Sequence, residues 1–508
     1  MNKKYLIAIF AIIIICAAAF ALTNSNNMGN GSVSINANAL EDRGNLVVDS
    51  ENSDEHDGYY HSDGADTNAV LVKNGGNLKL ANSAVNKTGD TATSGDDADF
   101  YGVNSAILVN TNGTSDISNV EINTNSKGSN GIFVTNANAS SSSGDNSQQG
   151  SGGGGQPPEA SGNGGGDGGQ PPEMPSGNGS AGGQPSQAPG GQGGGQQPGQ
   201  STVEGSTEAN INNVKITTHS DKSRGLDATY NGVINAQNVI INTDGQSCSA
   251  LAIDRGEGQV HVKNSEINTG VSKDSGRGSP LIYSTGNITA ENTKGTSYVS
   301  QIACIEGKNS IELSNCDLTG YAEGNRKDGD AYVDLGGIFI YQSMSGDADV
   351  GTSLFIAKNS KLTIAEESSV YKDAPMFHVT NTACVIDLEN TELSFGSGTF
   401  LEIAGQSQWG TQGSNGGQAE LNTNNEKIDG NVIVDSISSL NWVMKNTEFK
   451  GTINSTGNTT VNVESGSTWT LTGDSSVSNL SVSGNIDYGS YTLTVNGQQY
   501  TSSNPFKG

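Results

Sequence analysis

Short apolar runs recur along the chain with similar flanks: Ala69-Val-Leu-Val, Ala106-Ile-Leu-Val, Gly131-Ile-Phe-Val, Gly225-Leu-Asp-Ala, Ala250-Leu-Ala-Ile, Pro280-Leu-Ile-Tyr, Ile302-Ala-Cys-Ile, Gly337-Ile-Phe-Ile, Pro375-Met-Phe-His and Phe400-Leu-Glu-Ile. Their starts lie 37, 25, 94, 25, 30, 22, 35, 38 and 25 residues apart. The shortest steps match one turn of a parallel β-solenoid, and the longer ones read as the same turn with a loop added. Within a turn a Gly/Asn corner, as in Asn112-Gly113 and Asn231-Gly232, leads to alternating strands such as Val120–Thr124, Val214–Thr218 and Val239–Thr243. Alternation sends every second side chain inward, and β-branched residues suit that surface. One turn cannot bury its own face, whereas stacked turns bury a continuous narrow core. No stretch after residue 22 keeps a 3.6-residue period, so very little helix is expected. Asn and Thr at matching positions are expected to form ladders between turns.

Composition agrees with a thin core. Of 508 residues, 32% are hydrophobic and 70 are Gly, which is too little apolar content for one large sphere. The net charge of −28 excludes a phosphate-neutralising surface and argues against nucleic acid and anionic lipid as partners. Residues 67–405 are read as the solenoid body, 22–66 as an N-terminal cap or flexible region in which Ser32–Asn38 could start a first coil, and 406–508 as a continuation ending in a cap.

At the N-terminus, Lys3 and Lys4 precede an apolar run, Tyr5–Leu22, closed by Ala19-Phe20-Ala21. This is the pattern of an export signal over residues 1–21; the run is also long enough to serve as an uncleaved anchor, and it is the one segment suited to a membrane. Four cysteines follow it, Cys248, Cys304, Cys316 and Cys384. An even count in an exported chain permits disulfides, and four small buried side chains are the alternative.

The 94-residue step has its own cause. Residues 140–206 carry 23 Gly and 8 of the 11 Pro, with no Lys, Arg, Ile, Leu or Phe. They include two near-copies, starting Gly155-Gln-Pro-Pro-Glu and Gly169-Gln-Pro-Pro-Glu. Such a segment buries too little to offset its ordering entropy, so we expect a disordered loop thrown out of one turn. Without it, the step is an ordinary turn.

After Ala404 the strands shorten. Ser467-Thr-Trp-Thr-Leu-Thr-Gly-Asp-Ser, followed by Tyr491-Thr-Leu-Thr-Val-Asn-Gly, resembles the end of pertactin-like autotransporter passengers over about 50 residues. The rest resembles, more loosely, the adhesin-like β-helix surface proteins. The resemblance implies an all-β, right-handed single-stranded parallel β-helix on an exported, cell-surface protein. Autotransporter passengers continue into a membrane β-barrel, and this sequence ends at Gly508, so only the passenger-like fold carries over.

Candidate chemistry is sparse. Parallel β-helices also serve polysaccharide lyases, esterases and hydrolases, and fold alone does not decide between them. The hydrolase pattern is matched by Asn242-Thr243-Asp244 and Asp96-Asp97, but none of the five histidines sits between glycines as that pattern needs. A lyase or esterase requires carboxylates near an arginine on one outward face. The best cluster is Arg224 with Asp227, Asp254 with Arg255, and Glu306 with Lys308. The repeat places Asp254 and Glu306 at equivalent positions on different turns, with Asp227 two residues out of step. These six are the expected ligand-binding residues; in an enzyme, Asp227, Asp254, Arg255 and Glu306 would be the catalytic set. The bland alternative is a salt-bridged, solvated face. Asp96, Asp97 and Asp99, with Asp347 and Asp349, are the candidate Ca²⁺ ligands, and His56 and His61 sit among acids. Tyr59, Tyr60, Phe100, Tyr101, Phe339, Tyr341 and Trp409 are candidates for stacking on neutral glycans or for the core. The expectation is an adhesin-like protein that binds glycans or cell surfaces through an extended face, with a lyase or esterase, or a purely structural envelope protein, as alternatives. No cofactor is expected beyond Ca²⁺.

Overall fold

The structure is a computed structural model that describes residues 33, 35, 40–93, 95–137, 205–273 and 277–507. The export-signal region, most of Ser32–Asn38 and nearly all of the Gly/Pro/Gln-rich segment lie outside the described residues.

The described residues form a body that is almost entirely β. Each lap contributes strands to three faces. One lap runs through Leu226–Thr229 on the third face, Gly232–Gln237 on the first and Ile240–Thr243 on the second, then returns to the third at Leu251–Ile253. Successive laps pair in parallel and in register, giving a 16-stranded sheet on the third face and a 22-stranded sheet over the first two. In the last laps the second face becomes a separate four-stranded sheet. All ten apolar runs of the sequence fall on the third face. Ile132–Thr135 pairs directly with Leu226–Thr229, and Thr114–Thr124 with Thr207–Thr218. The 94-residue step is therefore a single lap. Strand pairing begins earlier than residue 67: Glu41–Gly44 pairs with Gly58–Ser62, and Leu46–Asp49 with Val70–Lys73.

Inward positions hold Ile, Val, Leu and Ala in nearly continuous columns, such as Ile216, Ile241 and Ile267, all fully buried. Helix is confined, among the described residues, to Gly95–Tyr101. The C-terminal end folds back: Leu493–Val495 pairs antiparallel with Gln498–Tyr500 through Asn496-Gly497, both at positive φ. That is the turn geometry a two-residue hairpin demands.

Between the first and second faces the chain bends at an asparagine in lap after lap: Asn82, Asn119, Asn213, Asn238, Asn264, Asn292, Asn315, Asn359, Asn390, Asn425 and Asn446, every one left-handed. Asparagine tolerates this conformation because its short amide bonds locally. The amides also bond along the axis, with Asn213 donating to Asn119 at 2.7 Å and Asn292 to Asn264 at 3.2 Å. Replacing Asn292 by valine is expected to cost about 1–2 kcal/mol, the left-handed penalty of a β-branched residue, and Asn292→Gly much less. Thermal melts of the two variants check this; equal losses would refute the backbone account.

The four cysteines are free and buried, which answers the disulfide question. Burial pushes the Cys248 and Cys384 thiols up to about 12, as expected of inert packing residues.

Candidate functional site

The nominated charges lie on the outward side of the third face. The connection from that face to the first is two residues at 230–231, 285–286 and 381–382, but it lengthens to 342–351 and 404–417. On the opposite corner, long connections carry the helix Gly95–Tyr101 and the small hairpin Lys327–Asp328 with Ala331–Tyr332. These segments fold over the third face and bury what the strand pattern alone would leave open.

Under the helix sits a charge cluster. Arg224 reaches Asp99 on the helix at 2.7 Å and Asp254 at 2.6 Å, and Lys222 reaches Asp99 at 2.6 Å. Arg224, Asp227 and Asp254 are all buried. Burial works upward on Asp99, but Arg224 and Lys222 outweigh it and hold the carboxyl below its usual range. Asp254 is pushed up to about 6 by burial, against the pull of Arg224. Asp227 rises well above the carboxylate range, first through burial and then through the Asp254 charge. Neither Asp227 oxygen has a hydrogen-bond partner; the Asp254 backbone amide approaches without reaching bonding geometry.

Register confirms the spacing read from the repeat. Asp227 pairs with Ala252, two residues before Asp254, while Ile253 pairs with Ser284 and Ser284 with Ile305. Asp254 and Glu306 therefore follow equivalent positions two laps apart. They do not form one open site. Glu306 is buried beneath the 342–351 loop, accepting from Tyr283 Oη at 2.9 Å and from Ser343 Oγ. Burial raises its affinity for a proton, and those donors oppose the rise. Arg255 pairs with Asp347 at 2.5 Å and lies 4.1 Å over the Phe100 ring. Lys308 is more open and bridges Glu257 and Asp349. The expectation of an outward cluster free to grip a ligand is thus corrected: Arg224, Asp227, Asp254 and Glu306 face outward from their strands but are covered by loops that the repeat does not encode.

The candidate Ca²⁺ ligands are not gathered into one group among the described residues. Asp99, Asp347 and Asp349 are engaged by cations, and no three His, Cys, Asp or Glu side chains gather as metal ligands among the described residues. The Asp96 side chain lies outside the described residues, and Asp97 is not brought into any such group. His56 and His61 each meet a single carboxylate, Asp57 and Asp42.

Most of the candidate glycan-stacking rings are structural. Phe339 and Trp409 are buried, and Phe339 stacks on Tyr341 at 4.6 Å between ring centres, with Trp409 against both. His378 closes this cluster: its Nδ1 donates to the Leu335 carbonyl at 2.9 Å and its Nε2 accepts from Gln406 at 3.2 Å, a network that selects the Nδ1 tautomer. Tyr60 is buried in the first lap.

The first face is left uncovered. Its outward positions line up through fourteen strands. One column reads Asp54, Lys79, Asp116, Asn210, Asn235, His261, Thr289 and Glu312, and its neighbour reads Ser118, Asn212, Gln237, Lys263, Glu291 and Ser314. Rungs repeat every ~4.8 Å. Asn210 donates to Asp116 at 3.2 Å and Asn235 to Asn210 at 3.1 Å. Lys263 pairs with Glu291 at 2.9 Å. Burial, helped by Lys263, holds His261 below the usual histidine value, so the imidazole is neutral at pH 7. A shallow groove of about 460 Å³ crosses four of these strands, lined by Asp116, Ser118, Asn210, Asn212, Asn235, Gln237, His261 and Lys263. No residue of this groove was singled out from the sequence. Alternation gave their outward direction, but nothing in it tells an uncovered face from a covered one.

No protein-family model matches the chain, and no curated protein does. No helix among the described residues is long and apolar enough to cross a membrane.

Proposed function

We propose that the protein is an exported, adhesin-like surface protein, a right-handed parallel β-helix that binds glycans through its extended first face, with the Gly/Pro/Gln-rich segment a disordered loop outside the core. The observation that carries this reading is the uncovered, in-register array of amide, hydroxyl and carboxylate side chains. Each rung offers both donors and acceptors, as a hydroxyl-rich ligand requires. Single contacts of this kind are weak, and repetition along the axis turns them into useful avidity. Outward acids outnumber lysines on this face, so it favours an uncharged polymer over an anionic one.

The lyase or esterase reading loses support from the cover. Arg255 would have to leave both Asp347 and Phe100 to meet a substrate, and Glu306 would have to leave Tyr283 and Ser343.

A glycan array run with and without Ca²⁺ tests the proposal. Binding without release of product is expected, unaffected by the metal, and the triple variant Asn210→Ala, Asn235→Ala, His261→Ala should weaken it at least about tenfold. Binding that survives the triple variant would move the site elsewhere. Release of unsaturated uronide, lost in Arg255→Ala, would restore the lyase. Absence of both signals would leave a structural envelope protein.

A further inference from the structure

Three carboxylates and two cations meet under the short helix: Asp99, Asp227 and Asp254 against Lys222 and Arg224. Ionised throughout, this set, buried apart from the half-open Lys222, would carry one uncompensated negative charge, which is costly away from water. The two cations are placed unevenly. Lys222 and Arg224 both hold Asp99, Arg224 also holds Asp254, and Asp227 has neither an ion pair nor a hydrogen-bond partner on its two fully buried oxygens, with Arg224 acting on it only at longer range. The remaining charges nearby do not cure the imbalance: Asp347 adds negative charge at Asp254, and it is matched by its own partner Arg255, the residue after Asp254.

The helix that closes this cluster is held by side-chain contacts: Asp99 supplies its ion pairs, Ala98 is buried, the Phe100 carbonyl accepts from Thr229 Oγ1 at 2.8 Å, the Phe100 ring lies 4.1 Å under Arg255, and Tyr101 stacks on Tyr230 at 5.5 Å. It leaves over Phe133 at Gly102, which has φ +65; a Cβ there would lie 2.5 Å from the Phe133 ring, so only glycine permits the approach. Asp99 is the one carboxylate of the three on the helix; Asp227 lies in a sheet strand and Asp254 directly follows one.

We propose that Asp227 and Asp254 share one proton, and that this proton keeps the helix Gly95–Tyr101 closed over the third face as a pH-dependent strap. With the proton bound, two carboxylates face two cations and the cluster is neutral. When the proton leaves to solvent hydroxide, Asp227 and Asp254 compete for Arg224 and repel Asp99. The helix then carries Asp99 out into water, uncovering Phe133 and Arg224. The direction follows from linkage: the folded pair binds a proton more tightly than the unfolded chain, so closure is complete at acid pH and weakens as pH rises through the folded value.

Hydrogen exchange on the full-length chain tests this, followed for the backbone amides of residues 97–103 and corrected for the intrinsic pH dependence of exchange. In the native chain, protection should fall by up to about tenfold per pH unit over the range in which the closed pair still holds the proton and the opened, solvated carboxylates have lost it, and level off above that range. Asp227→Asn, which keeps the shape of the protonated acid without its titration, should hold protection flat across the same range. Infrared spectra should show a protonated-carboxyl band at neutral pH that Asp227→Asn removes. Should Asp227→Asn fail to fold, Asp254→Asn removes the same surplus charge and should flatten the profile equally. A native chain whose protection does not change with pH, a profile left intact by the variant, or the lack of a protonated-carboxyl band would each overturn the strap.

Discussion

Replacing Trp442 by alanine is expected to destabilise the C-terminal laps by about 3–5 kcal/mol, the usual cost of deleting a large buried ring. Trp442 is fully buried on the first face. It stands in a run of aromatic contacts that crosses all three faces: Phe355 to Phe377 at 5.5 Å, Phe377 to Phe400 at 5.7 Å, Phe400 to Trp442 at 5.9 Å, Trp442 to Phe449 at 4.7 Å and Phe449 to Trp469 at 5.8 Å. A register shift between Thr399 and Leu401 admits Phe400 to this interior. Earlier laps fill the same space with Ile, Val and Leu, so alanine at 442 leaves a void that aliphatic neighbours cannot collapse into. The indole also donates to Thr423 Oγ1 at 3.1 Å, a bond the truncation removes while Thr447 Oγ1 still donates to that hydroxyl. Because a stacked array couples mainly nearest neighbours, the loss should appear first as early melting near Trp469, read by its fluorescence. Trp442→Phe should retain most of the stability. A Trp442→Ala chain that melts with the native one would show that the spine is loosely packed.

The second large effect is expected at Lys87, whose side chain points inward and is fully buried. The equivalent inward position in following laps holds Thr124, Thr218, Thr243, Thr269 and Ser297. There each of three threonine hydroxyls caps a corner carbonyl: Thr218 that of Ser223, Thr243 that of Cys248, Thr269 that of Ser279. Lys87 does the same work threefold, its ammonium donating to the carbonyls of Gly64, Thr88 and Gly89 at 2.9, 2.7 and 2.9 Å. Burial pulls the ammonium down to about 8, against the upward influence of Asp66, Asp63 and Asp90. Lys87→Met removes all three donors while keeping the stem; the Thr88 carbonyl loses its partner, while the Gly64 and Gly89 carbonyls keep Thr67 Oγ1 and Asn104 Nδ2. A loss of about 1–3 kcal/mol follows from the desolvation left uncompensated at Thr88. Lys87→Thr should recover part of it, since one hydroxyl can cap one carbonyl as in the next laps. Chemical denaturation of the first laps, followed by Tyr60 fluorescence, measures both; equal stability of Lys87→Met and the native chain would mean water replaces the ammonium freely.

Much of the architecture was legible because a solenoid is a local code written many times over. The apolar runs from Ala69 to Phe400 gave the third face, and the single-lap identity of the 94-residue step followed once residues 140–206 were set aside. The equivalence of Asp254 and Glu306, and the displacement of Asp227, were also readable, since register is a matter of counting. Other features could not be read that way. Gly95–Tyr101 is too short to show a period, and its partner Arg224 lies 125 residues away in the chain. The sequence spacing of Trp409 from Phe339 likewise says nothing about the loop that brings them together.

The alternating sequence by itself determined which side chains point in and which point out, because a pleated strand permits only two directions and a slip of one residue would bury the wrong set. It also determined that laps stack, because a single lap cannot bury its apolar side. What only the tertiary structure decided is which outward surface stays in water. The corner loops roof the third face and turn a row of outward charges into a buried, proton-hungry cluster, while the first face is left as an open polar array. That choice depends on where long connections land, and contacts between residues a hundred positions apart leave no periodic trace along the chain.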